Sequence, residues 1–369
     1  MKKILLGFIM DGHGGGVDNY LLNFVDAVWQ EGVQIDLLTN KADTGLKKAL
    51  GRYGTHLYET ANLKHPLRQF RQVRYLIRKE GYEIVYLNVS TSMDMIAAFA
   101  ARSCGVPRRI LHSHSGGNDC ESVIKRMIFD ILQKMCRPIF YRAGNEYCGC
   151  SKKAGYWMFP KKIVESDRFQ VIYNAVDRNR FAYLPSVRSE VRKELGLEGR
   201  LVIGTVGSLT YVKNHEFLLQ VFSELKKREP DAVLLLVGDG IRRKMTEDQA
   251  EALGLAGSVR FLGRRSDVDR LMQAMDVFVL PSWFEGLPTV GIEAQCTGLP
   301  CVISDTVTEE TRITDRCCFV SLKKSAEYWA EKILEMKELD RSSVRYMTEA
   351  EVYDLRSQQT RLKALIADR

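Results

Sequence analysis

The stretch Ala274–Ser304, AMDVFVLPSWFEGLPTVGIEAQCTGLPCVIS, decides how the chain is read. Its apolar run over 276–280 is short, β-branched and ended by Pro281, which predicts a buried strand. A helix is predicted from about 288, because proline suits the first helical turn. Gly298-Leu299-Pro300 stops that helix, and a second strand follows over 300–304. Strand, helix and strand at this spacing make a parallel βαβ unit. Glu285 then lies in the loop after the first strand, and Glu293 one to two turns inside the helix. Free N–H groups near Leu287, Thr289 and Val290 face the same place, and a helix N-terminus attracts an anion. A carboxylate at Glu293 can accept from two vicinal hydroxyls, as a ribose offers. An anion and a diol held together fit a nucleotide diphosphate.

The same alternation runs through the whole chain. Strands are predicted near 3–9, 34–40, 56–60, 84–90, 108–114, 146–150 and 169–173, then near 201–207, 233–237, 259–262, 276–280, 300–304 and 318–321. Helical periodicity separates them, including helices over 66–80 and 122–137. Residues 174–199 are polar and lack a strand pattern, so they read as a linker; 342–369 reads as helical with no strand after it. The expected class is α/β, two Rossmann-like domains with parallel sheets and a cleft between them: residues 1–175, residues 176–345, and a helix over 346–369 crossing back to the first domain. In such sheets ligands bind beyond the carboxyl ends of the strands.

With 369 residues, 45% hydrophobic and 27% charged, the chain has enough apolar content for two cores, which excludes wholesale disorder. The longest apolar runs fall well short of the ~18 residues of a membrane span. The start, Met1-Lys2-Lys3 followed by ILLGFIM, reads as a first strand rather than a signal peptide, since its apolar part breaks at Asp11 and no small-residue cleavage site follows. Residues 1–175 hold 25 Lys and Arg against 16 Asp and Glu, a net of +9; the remainder holds 29 against 30. The front half is therefore expected to meet something acidic. Nine scattered cysteines, without paired zinc spacing, read as reduced thiols in a cytosolic protein.

Four further segments bear on chemistry. Asp11-Gly12-His13-Gly14-Gly15-Gly16 precedes a helix and lets the backbone approach a phosphate or substrate; Asn19 in the third glycine slot excludes a dinucleotide fingerprint. In Leu111-His112-Ser113-His114-Ser115 the two histidines share a strand face, which admits a metal pair or a single active-site histidine. In Gly204-Thr205-Val206-Gly207-Ser208 through Lys213-Asn214 a lysine stands at the start of a helix, a good diphosphate site, without Walker spacing. Asp267-Val268-Asp269 begins a helix, where aspartate is expected as a cap rather than a metal ligand.

Together these segments resemble the retaining glycosyltransferases of family 4, with the GT-B architecture. The resemblance is carried by Glu285 and Glu293 at Glu-x7-Glu spacing, the EGLP start of that motif, Lys213-Asn214, Val237-Gly238-Asp239-Gly240, Phe261-Leu262-Gly263 and Gly14-Gly15-Gly16. LHSHS and CGCSKKAGYWMF are similar to the branch that builds bacterial capsules and exopolysaccharides. The resemblance implies sugar transfer from a nucleotide-diphosphate sugar, UDP favoured, to a glycan or lipid-linked glycan, with retention, no metal and no cofactor. It implies that Glu293 binds the ribose, Glu285 faces the donor sugar, and the backbone of Gly286, Leu287, Pro288, Thr289 and Val290 holds sugar and diphosphate. Lys213 would bind the diphosphate, Gly15 and Gly16 would line the donor–acceptor boundary, and Gly238 would belong to the donor site. His114 rather than His112 would contact the sugar, and Arg264 and Arg265 would lie by the base pocket. Glu285, His114 and Lys213 are thereby the expected catalytic residues. Two positions depart from the family: Ser208 stands where an arginine is common, leaving diphosphate charge to Lys213, the helix N-terminus and Arg264, and Ala175 stands where glycine is usual.

A nucleotide-sugar epimerase on the same architecture would keep the nucleotide contacts. A nucleic-acid-binding protein would use the basic half, but no recognition helix or stacking-aromatic sheet accompanies that charge, and no nucleic-acid partner is expected. Two helices pattern as amphipathic and basic. Phe70, Val73, Leu76 and Ile77 oppose Arg68, Arg71, Arg74 and Arg78; Val123, Ile124, Met127, Ile128, Ile131, Leu132 and Met135 oppose Lys125, Arg126, Lys134 and Arg137. Both apolar faces are either core or part of a peripheral contact with an anionic membrane.

Overall fold

The computed structural model describes residues 2–9, 16–29, 32–41 and 44–367. Its contacts divide into two compact units. One holds the first 118 residues, Ser122–Ala175 and Leu355–Arg369; the other holds Asp119–Glu121 and Val176–Asp354.

The first unit is built on β1 (Lys2–Gly7), β2 (Val33–Thr39), β3 (His56–Glu59), β4 (Ile84–Val89), β5 (Arg108–Ser113), β6 (Glu146–Gly149) and β7 (Phe169–Val171). They form one sheet in the order β3-β2-β1-β4-β5-β6-β7, parallel throughout. Its helices are α1 (Gly16–Val28), α2 (Thr44–Gly51), α3 (Pro66–Glu80), α4 (Ile96–Ser103), α5 (Val123–Phe140), α6 (Lys152–Met158) and α7 (Lys161–Val164). Alternation along the strands divides the core between the two sheet faces. Ile4, Leu6, Tyr86 and Ile110 pack with α1, while Leu5, Val85, Leu87 and Leu111 pack with α3 and α4.

The second unit carries α8 (Pro185–Glu194), β8 (Val202–Val206), α9 (His215–Lys226), β9 (Val233–Val237), α10 (Arg243–Ala252), β10 (Val259–Gly263), α11 (Val268–Ala274), β11 (Val277–Leu280), α12 (Thr289–Cys296), β12 (Cys301–Ser304), β13 (Cys317–Val320) and α13 (Ala326–Lys337). Its six strands are parallel in the order β10-β9-β8-β11-β12-β13. α14 (Leu355–Ile366) belongs to the first unit. There Leu362, Leu365 and Ile366 enter the α1 core, and Gln358 donates to the Tyr173 carbonyl at 2.8 Å.

In each sheet strand order reverses once, between β1 and β4 and between β8 and β11. Each reversal opens a crevice beyond the strand ends. All thirteen predicted strands are present.

Three expectations need correction. Residues 174–199 are not a bare linker, because they contain α8. Arg188 and Arg192 of α8 converge on Asp276 at the foot of β11, whose Oδ2 also accepts from Val202 N at 2.7 Å. Only Val191 of α8 is buried, so an apolar period could not reveal the helix. Asp267 stands at the N-cap of α11 without a capping hydrogen bond; Arg265 holds its carboxylate at 2.7 Å. Pro288 is the N-cap residue of α12, not part of its first turn.

The amphipathic helices separate. Val73, Leu76 and Ile77 of α3 are core, with Phe70 packed against it, whereas the apolar side of α5 is exposed. None of the nine cysteines is in a disulfide; five are buried and four half-buried. No described helix is long and apolar enough to cross a membrane.

Candidate active site

The crevice between β8 and β11 brings together two loops of the second unit. After β8, the chain passes Gly207 and Ser208 and reaches Lys213, and Asn214 takes a left-handed conformation, φ +52°, before α9 begins. Asn214 Nδ2 donates to the Pro281 carbonyl at 3.1 Å, and Trp283 N donates to the Val212 carbonyl at 2.8 Å, tying the β8 loop to the β11 loop. Lys213 Nζ donates to Glu285 Oε1 at 2.7 Å, and Ser282 Oγ donates to the same oxygen at 2.9 Å.

Glycines permit this approach. Gly207 has φ +153°, and a Cβ there would lie 2.8 Å from Lys213 Cε. A Cβ on Gly238, φ +138°, would lie 1.9 Å from the Gly207 carbonyl oxygen, well inside contact distance. Gly238 N donates to the Gly263 carbonyl at 2.8 Å, drawing in the end of β10. The sequence placed Gly238 by resemblance; its physical role is close backbone approach.

α12 opens behind Pro288 without a side-chain cap, so its first-turn N–H groups lack intrahelical acceptors. Leu287 and Pro288 are buried, and Thr289 begins the helix with Val290 following. Glu293 lies one turn further in. Its carboxylate receives no hydrogen bond from a described residue, and burial pushes its pKa up to about 7, opposed by Arg180 and Lys213 and reinforced by Asp269. Arg180 itself bonds Asp269 at 2.7 Å. Neither Arg180 nor Ser282 was marked by any sequence pattern.

Ser208 and Arg264 are exposed, and no described residue bonds the Arg264 guanidinium. Arg265 is occupied by Asp267. Gly286 follows Glu285 in the loop. Gly15, with Gly14, lies outside the described residues; Gly16 is the first residue of α1.

His112 and His114 belong to the first unit. His112 is fully buried, its Nδ1 2.6 Å from the Tyr86 hydroxyl, which lies 2.6 Å from the Tyr20 hydroxyl. His114 follows the end of β5, half-buried, with Nε2 2.8 Å from Asn88 Oδ1. An amide oxygen only accepts, so Nε2 carries the His114 proton and Nδ1 the lone pair. Burial lowers both histidines, His114 to about 3, so both rings are neutral near pH 7. Asn88, which sets this tautomer, was not singled out in the sequence. No group of three His, Cys, Asp or Glu among the described residues is placed to hold a metal ion.

Comparison with known proteins shows the family. The family pattern "Glycosyl transferases group 1" matches residues 187–351, and "Glycosyltransferase Family 4" matches residues 14–180. The chain is 31% identical over 342 residues to the putative glycosyltransferase EpsF of Bacillus subtilis, covering 90% of this chain and 87% of that protein. It is 31% identical over 242 residues to the UDP-Gal:alpha-D-GlcNAc-diphosphoundecaprenol alpha-1,3-galactosyltransferase of Escherichia coli, covering 62% of this chain and 59% of that one. The crystal structure of Anabaena Alr3699/HepE in complex with UDP and glucose superposes with a TM-score of 0.76 at 18% identity over the full length of both chains. WaaG, a glycosyltransferase of lipopolysaccharide biosynthesis, superposes at 0.72 with 18% identity, again over both full chains. Both structures share the GT-B fold. The chain belongs to the family 4 glycosyltransferases and is an enzyme of that class.

Proposed function

We propose that this glycosyltransferase moves a sugar from a UDP-sugar to a glycan or lipid-linked glycan acceptor of a bacterial surface polysaccharide, with retention of configuration. The observation that carries the reading is the Lys213–Glu285 pair beside the uncapped start of α12, with the unsatisfied Glu293 carboxylate one turn deeper. Lys213 and the first-turn N–H groups take the diphosphate, and Glu293 takes the ribose hydroxyls. Glu285, with the backbone from Gly286 to Val290, orients the sugar. The Escherichia coli relative is named for an acceptor linked to diphosphoundecaprenol, which supports a lipid-linked acceptor here.

In the proposed step the acceptor oxygen bonds to the anomeric carbon on the face from which the diphosphate departs. The bond from that carbon to the diphosphate oxygen breaks with its electron pair, and the hydroxyl proton passes to a diphosphate oxygen. Lys213 and the α12 N-terminus stabilise the charge that develops on the leaving group. A glycosyltransferase family accounts for the nucleotide-site residues without an epimerase or nucleic-acid reading.

Thermal denaturation with UDP, GDP, ADP and their sugars tests the donor. A ligand at a hundred times its Kd stabilises by about 2.7 kcal/mol. UDP and one UDP-sugar should raise Tm, and the stabilising sugar should be slowly hydrolysed. Stabilisation by none of them would end the reading.

A further inference from the structure

α5 is built inside out. Its inward side is polar: Gln133 is buried, accepts from Ser92 N at 2.8 Å and donates to the Trp157 carbonyl at 3.1 Å, and Asp130 accepts from Asn118 at 3.3 Å. Its outward side is apolar: Val123, Ile124, Met127, Ile131 and Met135 are each between 57% and 72% exposed. This differs from α3, whose apolar residues are spent in the core. Isolated exposed hydrophobics are ordinary, but a continuous stripe over about three turns marks an interaction surface.

Charge identifies the occupant. At about 100° per residue, Lys134 falls just inside one edge of the stripe, between Val123 and Met127, and Lys125 lies beyond the other edge; both are exposed. Asp130, the one acidic residue of α5, is hydrogen-bonded to Asn118. A second copy related by two-fold symmetry would set these lysine edges against each other, with no carboxylate of the helix to pair them. Anionic headgroups would pair with them while the isoleucines and methionines enter the acyl boundary, as in helices lying along a bilayer surface. The helix, about 27 Å long, would lie in the plane of the membrane.

We infer that α5 is a membrane anchor that inserts its apolar stripe into an anionic bilayer, so that attachment is hydrophobic as well as electrostatic. This rests on the proposed lipid-linked acceptor, which such an anchor would bring to the enzyme.

Flotation of the full chain with phosphatidylcholine vesicles, with and without phosphatidylglycerol, tests it. Wild type should float with the anionic vesicles and remain largely bound at about 1 M salt, where the Debye length is about 3 Å. The variant Ile124→Gln/Ile128→Gln/Ile131→Gln should lose at least about tenfold in vesicle partitioning. Lys125→Gln/Lys134→Gln should lose the preference for phosphatidylglycerol. Both variants should keep wild-type Tm and UDP binding, since their side chains are exposed. Unchanged flotation of the isoleucine variant, full release by salt, or a wild-type dimer in solution that the isoleucine variant splits would overturn the anchor. Loss of flotation with UDP binding intact separates this outcome from failure of the donor reading, which UDP binding alone decides.

Discussion

Lys213 Nζ donates to Glu285 Oε1 at 2.7 Å, joining the loop after β8 to the loop after β11 across the strand-order reversal of the second sheet. In the proposed reading the lysine is the cation that takes the diphosphate, and the glutamate holds its side chain in the crevice.

The two partners should therefore differ when substituted. Glu285→Gln should lower kcat by about 100-fold or more while leaving UDP affinity within about threefold, because its proposed partner is the sugar. Lys213→Ala should weaken UDP itself, by about tenfold or more, as expected for loss of a charged hydrogen bond. Calorimetry with UDP beside steady-state kinetics checks both, and equal loss of UDP affinity in the two variants would contradict the division.

With Glu293 on the ribose, as proposed, nucleotide binding is expected to depend on pH. Its pKa, raised to about 7 by burial, means that the ionised form needed by ribose hydroxyls forms only as pH passes neutrality. UDP affinity should fall as pH drops from 8 to 6, and Glu293→Gln should abolish this dependence while weakening UDP by roughly 1.5–3 kcal/mol. The folded state binds the proton more tightly than the unfolded state, so this carboxyl lowers stability as pH rises from about 4.5 to about 7. Glu293→Gln should consequently raise the Tm of the ligand-free protein at pH 8. An unchanged UDP pH profile would remove Glu293 from the nucleotide site.

Gly238→Ala should fail for a backbone reason. Its Cβ would fall 1.9 Å from the Gly207 carbonyl oxygen at a φ that side chains rarely adopt. The expected loss is about 3 kcal/mol or more, measurable by urea denaturation. A near-neutral result would show that β8 and β9 do not close as described.

The buried histidines set an acid limit. His114 is lowered to about 3 and His215 to about 4, and His112 also falls; the unfolded chain binds these protons more readily. Stability is retained above about pH 6.5 and lost as pH falls toward these values. His114→Asn should flatten the decline in Tm between about pH 6 and 4. An identical acid limb in the variant would contradict the buried neutral ring.

Metal removal should be silent. Asp267 and Asp269 are held by Arg265 and Arg180, and the His112 and His114 rings contact Tyr86 and Asn88. Activity should survive excess EDTA; loss restored by magnesium or manganese would reopen the metal reading.

Strand positions were legible throughout because β-branched runs and Gly-Pro punctuation are local signals. The same holds for the Glu285–Glu293 spacing, since a short strand–loop–helix fixes which residues reach its loop. Local signals did not reveal α8, whose worth lies in Arg188 and Arg192 meeting Asp276 more than eighty residues away. They could not supply Arg180 beside Glu293, Ser282 on Glu285 or Asn88 on His114, because each becomes a partner only when separate segments converge. Nor could periodicity separate α3 from α5. Both have an apolar stripe, and only packing determines that one stripe fills a core while Gln133 turns the other toward solvent. The sequence by itself determined the order of strands and helices and the chemistry of the loops. The tertiary structure decided which charges neutralise one another and which apolar surface stays open, because both depend on what lies across space.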